Sequence, residues 1–94
     1  MQHRVVAARA DPDFVVELSF AGGEVARVDL RDFVATGVVT EPLRRDPRLF
    51  VDGLRVGGGG AWIGWPGEVE IDADALWYQA YPEDLARDFG PEAA

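Results

Sequence analysis

The segment from Phe14 to Leu30 constrains this chain more than any other. Phe14, Val16, Leu18 and Phe20 fall on alternate positions, and so do Ala26, Val28 and Leu30 beyond the turn Ala21-Gly22-Gly23. Side chains on a strand alternate between faces, so a one-residue slip in pairing moves the whole apolar set to the wrong side of the sheet. A two-residue loop at Gly22-Gly23 would set Leu18 against Arg27 and Val16 against Asp29. A three-residue loop, Ala21 to Gly23, sets Leu18 against Ala26, Val16 against Val28 and Phe14 against Leu30. Only the second puts apolar residues opposite one another. It also gives a glycine the left-handed position that such loops require. The pattern predicts an antiparallel hairpin in that register, with an exposed Glu17–Arg27 ion pair worth well under ~1 kcal/mol.

The flanking segments supply the rest of the fold. Arg4 to Ala10 reads as a strand closed by the turn Asp11-Pro12-Asp13. Leu30, Phe33 and Val34 have helical spacing, which predicts a short helix over 31–36 stopped by Gly37. Thr40 is expected to cap a second helix with Glu41 in its first turn. Asp46 is expected to cap a third with Pro47 at its first position, so that Leu43, Leu49 and Phe50 pack inward. Val51 to Val56 and Ala61 to Trp65 flank four glycines and predict a second hairpin. A Gly58-Gly59 turn sets Leu54 opposite Ile63, Val56 opposite Ala61 and Arg55 opposite Trp62. An exposed Arg over a Trp ring gains ~0.5–1 kcal/mol.

Trp65-Pro66-Gly67 breaks the strand, and Glu68 to Asp72 alternates again with Val69 and Ile71 inward. Asp72 is placed to cap a helix over 73–80 anchored by Leu76, Trp77 and Tyr81. Pro82-Glu83-Asp84 opens a last helix, with Leu85 and Phe89 as an i,i+4 pair and Gly90 as its stop. The expected fold is α+β: a small, mainly antiparallel sheet built from two hairpins, with short helices packed on it. One domain is expected over 1–94, with an ordered core over about 4–89 and a frayed tail over 91–94.

Composition narrows the chemistry. The chain has no cysteine, which excludes disulfides, thiol catalysis and cysteine-ligated zinc and fits a reducing cytosol. His3 is the only histidine and is expected to be exposed near the start of the chain. A His-based metal site or a Ser-His-Asp triad needs more than that. The hydroxyls of Ser19, Thr36, Thr40, Tyr78 and Tyr81 have no lysine to activate them. No catalytic residue, metal ligand or cofactor is therefore expected. Gly57 to Gly60 resembles a phosphate cradle, but no Lys-Ser/Thr or helix start follows it. The net charge of −8 repels a phosphate backbone, which argues against direct nucleic-acid binding. No apolar run reaches the ~20 residues that span a bilayer, and no signal-type apolar core opens the chain. The expected setting is cytoplasmic, away from membranes.

What remains is a surface. Glu68, Glu70 and Asp72, with Asp74 beyond them, are the densest charge in the chain. Alternate strand residues share a face, so the first three are expected to meet a basic protein partner, with Trp65 as their apolar companion. Hard cations also take such oxygens, but the spacing is not that of a calcium loop. Acid–base hydrolysis by paired carboxylates would need a pocket and a set separation. Trp62, Trp65 and Tyr78 make up the alternative, a small-ligand site. Open sheet edges also permit a homo-oligomer.

The order V-E-L-S-F-A-G-G, V-D-L-R-D-F, L-R-R-D-P-R-L-F, I-G-W-P-G, V-E-I-D and D-A-L-W resembles the bacterial domain of unknown function 2442 family. The resemblance runs from roughly Val5 to Tyr78. Ala21-Gly22 stands where that family commonly has Asp-Gly, and Pro66-Gly67-Glu68 where it has Pro-Asn-Gly. The resemblance implies a small α+β domain and supplies no catalytic residues. Some members carry a helix-turn-helix domain, and some are encoded beside toxin-like partners, as antitoxins are. The implied function is a non-enzymatic protein-interaction domain, antitoxin-like, whose partner is a basic protein encoded by a neighbouring gene. The alternative is a small-ligand-binding or sensory module.

Overall fold

The computed structural model describes residues 3–90, so the expected frayed tail over 91–94 lies outside the described residues. Three strands, β1 (Val5–Ala10), β2 (Val15–Phe20) and β3 (Val25–Asp29), form an antiparallel sheet in chain order. The β2–β3 register is the one the alternation predicts: Val16 pairs with Val28, Glu17 with Arg27 and Leu18 with Ala26. Gly23 closes the loop at φ +100, its amide donating to the Phe20 carbonyl over 2.9 Å. Phe14 stands just outside β2 at φ +65, a costly position for an aromatic residue. Two constraints hold it there. The Asp11 carboxylate accepts from the amides of Asp13 and Val15, and the Phe14 ring meets Phe50 edge-on at 5.1 Å. A bulge between Val5 and Ala7 interrupts the β1–β2 ladder, and Val6 is exposed beside it.

Three short helices follow: α1 (Arg31–Ala35), α2 (Glu41–Arg45) and α3 (Pro47–Asp52). Asp46 caps α3 as expected, its carboxylate accepting the Arg48 amide over 3.0 Å. Thr40 does not cap α2. It is buried, and its hydroxyl donates to the Thr36 carbonyl over 2.7 Å. Arg44 Nη1 donates to the carbonyls of Val34 and Gly37 and to the Thr40 hydroxyl. Helix ends leave carbonyls without partners, and the end of α1 takes both donors. Phe33 is the second departure: Leu30 and Val34 are buried, but Phe33 is 37% exposed, because one short turn turns only one face inward.

The second hairpin differs from expectation in extent and register. Val51 and Asp52 belong to α3, which ends when the Gly53 amide donates to the Leu49 carbonyl over 2.8 Å. The strands β4 (Arg55–Gly57), β5 (Trp62–Trp65) and β6 (Val69–Asp72) form a second antiparallel sheet, again in chain order. Val56 pairs with Ile63, Gly57 with Trp62 and Arg55 with Gly64, across a loop of Gly58 to Ala61. A Cβ on Gly57 would lie 2.1 Å from the Trp62 ring, so a larger residue there would displace that ring. Gly60 has a different task. Its carbonyl accepts the Val5 amide over 3.0 Å, and a Cβ there would lie 2.1 Å from Arg4 Cγ. The glycine loop is thus the seat on which β1 rests, and the two hairpins meet there without sharing one ladder.

Helices α4 (Ala73–Ala80) and α5 (Pro82–Phe89) complete the fold, with α4 packed against β3 and β6. Asp72 stands at the cap position of α4, but its carboxylate makes no cap bond. The Ala73 amide instead continues the strand pairing, donating to the Ala61 carbonyl over 2.8 Å. The core between the sheets and helices buries Val16, Leu18, Phe50, Ile63, Trp65 and Leu76. Among the described residues, no helix is long and apolar enough to cross a membrane.

Candidate functional site

Trp65 cannot belong to a surface. It lies on β5, the middle strand of the second sheet, and has no exposed area. Its ring stacks on Phe50 at 5.0 Å, and its indole N–H donates to the Phe50 carbonyl over 2.8 Å. The expectation that it would serve a partner or a ligand is therefore corrected: Trp65 shares with Ile63 the face of β5 that packs into the core. Trp62 is half-buried on the β4–β5 hairpin, with the Arg55 guanidinium 5.8 Å above its ring. That contact is diagonal across the ladder, since Arg55 pairs with Gly64. Tyr78, on α4, donates its hydroxyl to Asp88 over 2.7 Å. That bond, with lesser help from desolvation and nearby carboxylates, pushes the Tyr78 phenol up to about 12. With Trp65 sealed away, the set Trp62, Trp65 and Tyr78 does not form a ligand site.

The acidic residues divide. Glu70 and Asp72 are exposed on β6, an edge strand. Glu68 is exposed too, but it belongs to the β5–β6 turn at φ +66 and not to the strand. Its expected place on the strand face is corrected: the tight Pro66-Gly67-Glu68 turn uses it as a backbone hinge. None of the three makes an ion pair among the described residues. The first sheet is the opposite case. Glu17 meets Arg9 at 3.1 Å and Arg27 at 3.8 Å, and Asp11 meets Arg27 at 3.2 Å. At the end of β3, the Arg31 guanidinium donates two bonds to Asp29 Oδ2 and one to Oδ1, and the Arg31 amide donates another to Oδ1, which together hold that carboxyl below its ordinary range. Asp74 does not join the acidic edge; it accepts the His3 amide over 2.7 Å. Among the described residues, no three His, Cys, Asp or Glu side chains are grouped to hold a metal.

A second feature was not foreseen. His3 is half-buried, with its ring parallel to Trp77 at 4.1 Å and 4°. Its Nε2 is buried without a hydrogen-bond partner among the described residues. Phe20 meets Trp77 edge-on at 4.9 Å, Tyr81 lies tilted at 4.5 Å, and the Trp77 indole N–H donates to Asp84 over 3.0 Å. Beside this cluster lies a cleft of about 410 Å³, lined by His3, Arg4, Phe20, Gly22, Glu24 and Trp77 among others. Trp77 could be placed on a helix from its spacing, but nothing local ties it to a histidine at the other end of the chain.

A family profile described as a protein of unknown function, DUF2442, matches residues 5–82. That span takes in both sheets and α1 to α4, and it stops at the first residue of α5. Nothing matches the chain among curated proteins or among solved structures.

Proposed function

We propose that this chain, which belongs to the DUF2442 family of proteins of unknown function, is a non-enzymatic protein-interaction domain, antitoxin-like, for a basic protein encoded by a neighbouring gene. One observation carries the reading: Glu70 and Asp72 are exposed on an edge strand, with Glu68 in the turn beside them, and no arginine answers any of the three among the described residues. A strand at a sheet edge has one side of its backbone without a ladder partner, and an extended segment can add to it there. Basic side chains on that segment would meet Glu70 and Asp72. A second copy of this chain would bring the same carboxylates, and like charges placed opposite each other oppose pairing. A non-enzymatic role rests on the chain's chemistry. There is no lysine or cysteine, the Thr40 hydroxyl is tied to a carbonyl, and the one histidine is stacked on Trp77.

The test is co-expression with the product of the adjacent gene, followed by gel filtration. A complex is expected that weakens as salt rises, because charge complementarity is screened. The double substitution Glu70→Arg with Asp72→Arg is expected to abolish it while leaving the fold intact. A complex indifferent to both salt and charge reversal, or no complex at all, overturns the reading.

A further inference from the structure

We infer that the cleft beside Trp77 binds a small zwitterion of the α-amino-acid class, with Arg4 taking its carboxylate, Glu24 its ammonium group, and the half-buried His3 ring, stacked on Trp77, meeting its apolar side chain. This site is independent of the acidic edge on β6.

Two opposite charges line one cleft and do not pair among the described residues. Arg4 and Glu24 both line it, yet neither side chain closes an ion pair or a hydrogen bond among the described residues. On the first sheet and in α2, by contrast, opposite charges do close, as Arg9 does with Glu17 and Arg45 with Glu41. Both side chains are also laid against glycine backbone. Arg4 Cγ lies 2.1 Å from where a Cβ on Gly60 would stand, so its stem runs flat along that loop. Glu24 Oε1 lies 2.7 Å from where a Cβ on Gly22 would stand, so its carboxylate folds back over the hairpin turn. A larger residue at either glycine would displace the charged side chain.

The class of ligand follows from what each group rejects. A simple anion drawn to Arg4 would be repelled by Glu24 and by the chain's net charge of −8. A simple cation drawn to Glu24 would be repelled by Arg4. A molecule carrying both charges satisfies both through charge-assisted hydrogen bonds. The wall beside them is aromatic: Phe20 stands edge-on to the buried Trp77, and the half-buried His3 ring is stacked on Trp77. A cleft of about 410 Å³ lies toward the small end of ligand sites, so an amino acid fits and a dinucleotide does not.

The test uses the full chain, labelled with nitrogen-15, in separate titrations with L-leucine and L-phenylalanine. Two leucine analogues serve as controls: isocaproate, which lacks the ammonium group, and isoamylamine, which lacks the carboxylate. At least one amino acid is expected to give saturable shifts at the amides of His3, Arg4, Ala21 and Gly22 and at the Trp77 indole. Each analogue should bind at least about tenfold more weakly, as expected when one charge-assisted contact is lost. Arg4→Gln and Glu24→Gln each keep the side-chain stem. Each should weaken amino-acid binding by about tenfold while the rest of the spectrum is unchanged. The inference is overturned if neither amino acid shifts the cleft signals, if an analogue binds as well as its parent, or if either variant binds unchanged.

Discussion

Trp65 and Trp77 each centre an aromatic cluster, and the two clusters are closed by different means. Around Trp65 the neighbours are Phe50, stacked on it, and Phe14, edge-on to Phe50; its N–H goes to a backbone carbonyl. Every partner there comes from a regular element or from a turn fixed by Asp11. Around Trp77 the neighbours are Phe20, Tyr81 and His3, and its N–H goes to the carboxylate of Asp84. That carboxylate is partly solvated and is shared with Arg87 at 3.3 Å. Trp65 has no exposed area, and Trp77 keeps 8% beside an open cleft. The Trp65 cluster is sealed within the core, whereas the Trp77 cluster borders a cleft through the half-buried His3 ring.

The largest test of this contrast is truncation. Trp65→Ala should cost about 3–5 kcal/mol, a large part of the stability of a domain this size. Trp77→Ala should cost the lower end of that range or less, because the half-buried rings of His3 and Tyr81 can move into the space. Urea denaturation of the two variants measures the difference. Equal losses would mean that the clusters are energetically alike.

A milder substitution sharpens the same point by removing the indole N–H together with part of the ring while an aromatic side chain stays in place. Trp65→Phe leaves the Phe50 carbonyl without its donor inside the core, which should cost about 1–3 kcal/mol. Trp77→Phe leaves Asp84 with Arg87 and water, and the loss should stay under ~1 kcal/mol. Denaturation midpoints at fixed slope separate the two.

The same division explains what was legible in the sequence. The β2–β3 register could be read because each strand alternates strictly and any slip would expose Val16 and Leu18. The β4–β5 register could not, because a run of glycines carries no pattern. What sets it is the Trp62 ring lying over Gly57 and the seating of Gly60 on β1, both of which are tertiary. Val51 fits helical and strand periods alike, so the end of α3 was ambiguous. Thr40 was a sound cap by type, but burial gave its hydroxyl to the end of α1. At the candidate sites, Glu70 and Asp72 were legible as exposed strand acids. Trp65 shares its face of β5 with the buried Ile63, and only the packing against Phe50 shows that face to be sealed. The pairing of His3 with Trp77 left no local trace at all.

The smallest expected effect lies where α5 closes over the Trp77 cluster. Tyr78 on α4 donates to Asp88 on α5, and Arg87 donates to the same carboxylate over 3.2 Å. Tyr78's hydrogen bond, with Arg87's, holds the Asp88 carboxyl below its ordinary 3.8, whereas the Tyr78 phenol rises from 10.0 to about 12. The signs are opposite and bracket neutral pH. The Asp88 contribution is present above pH 3.8 and is lost as pH falls through its lowered folded value. The Tyr78 contribution is complete below pH 10.0 and is lost as pH rises toward about 12. Carbon-13 detection of the Tyr78 ring should therefore give a midpoint near 12, falling back toward 10.0 in Asp88→Asn. Over the same alkaline range, α5 amides should lose hydrogen-exchange protection relative to those of β5, because the Trp65 cluster contains no titrating group. A wild-type midpoint near 10.0, or equal loss of protection in β5 and α5, would show that α5 is not held by this bond and that the two clusters respond to pH as one.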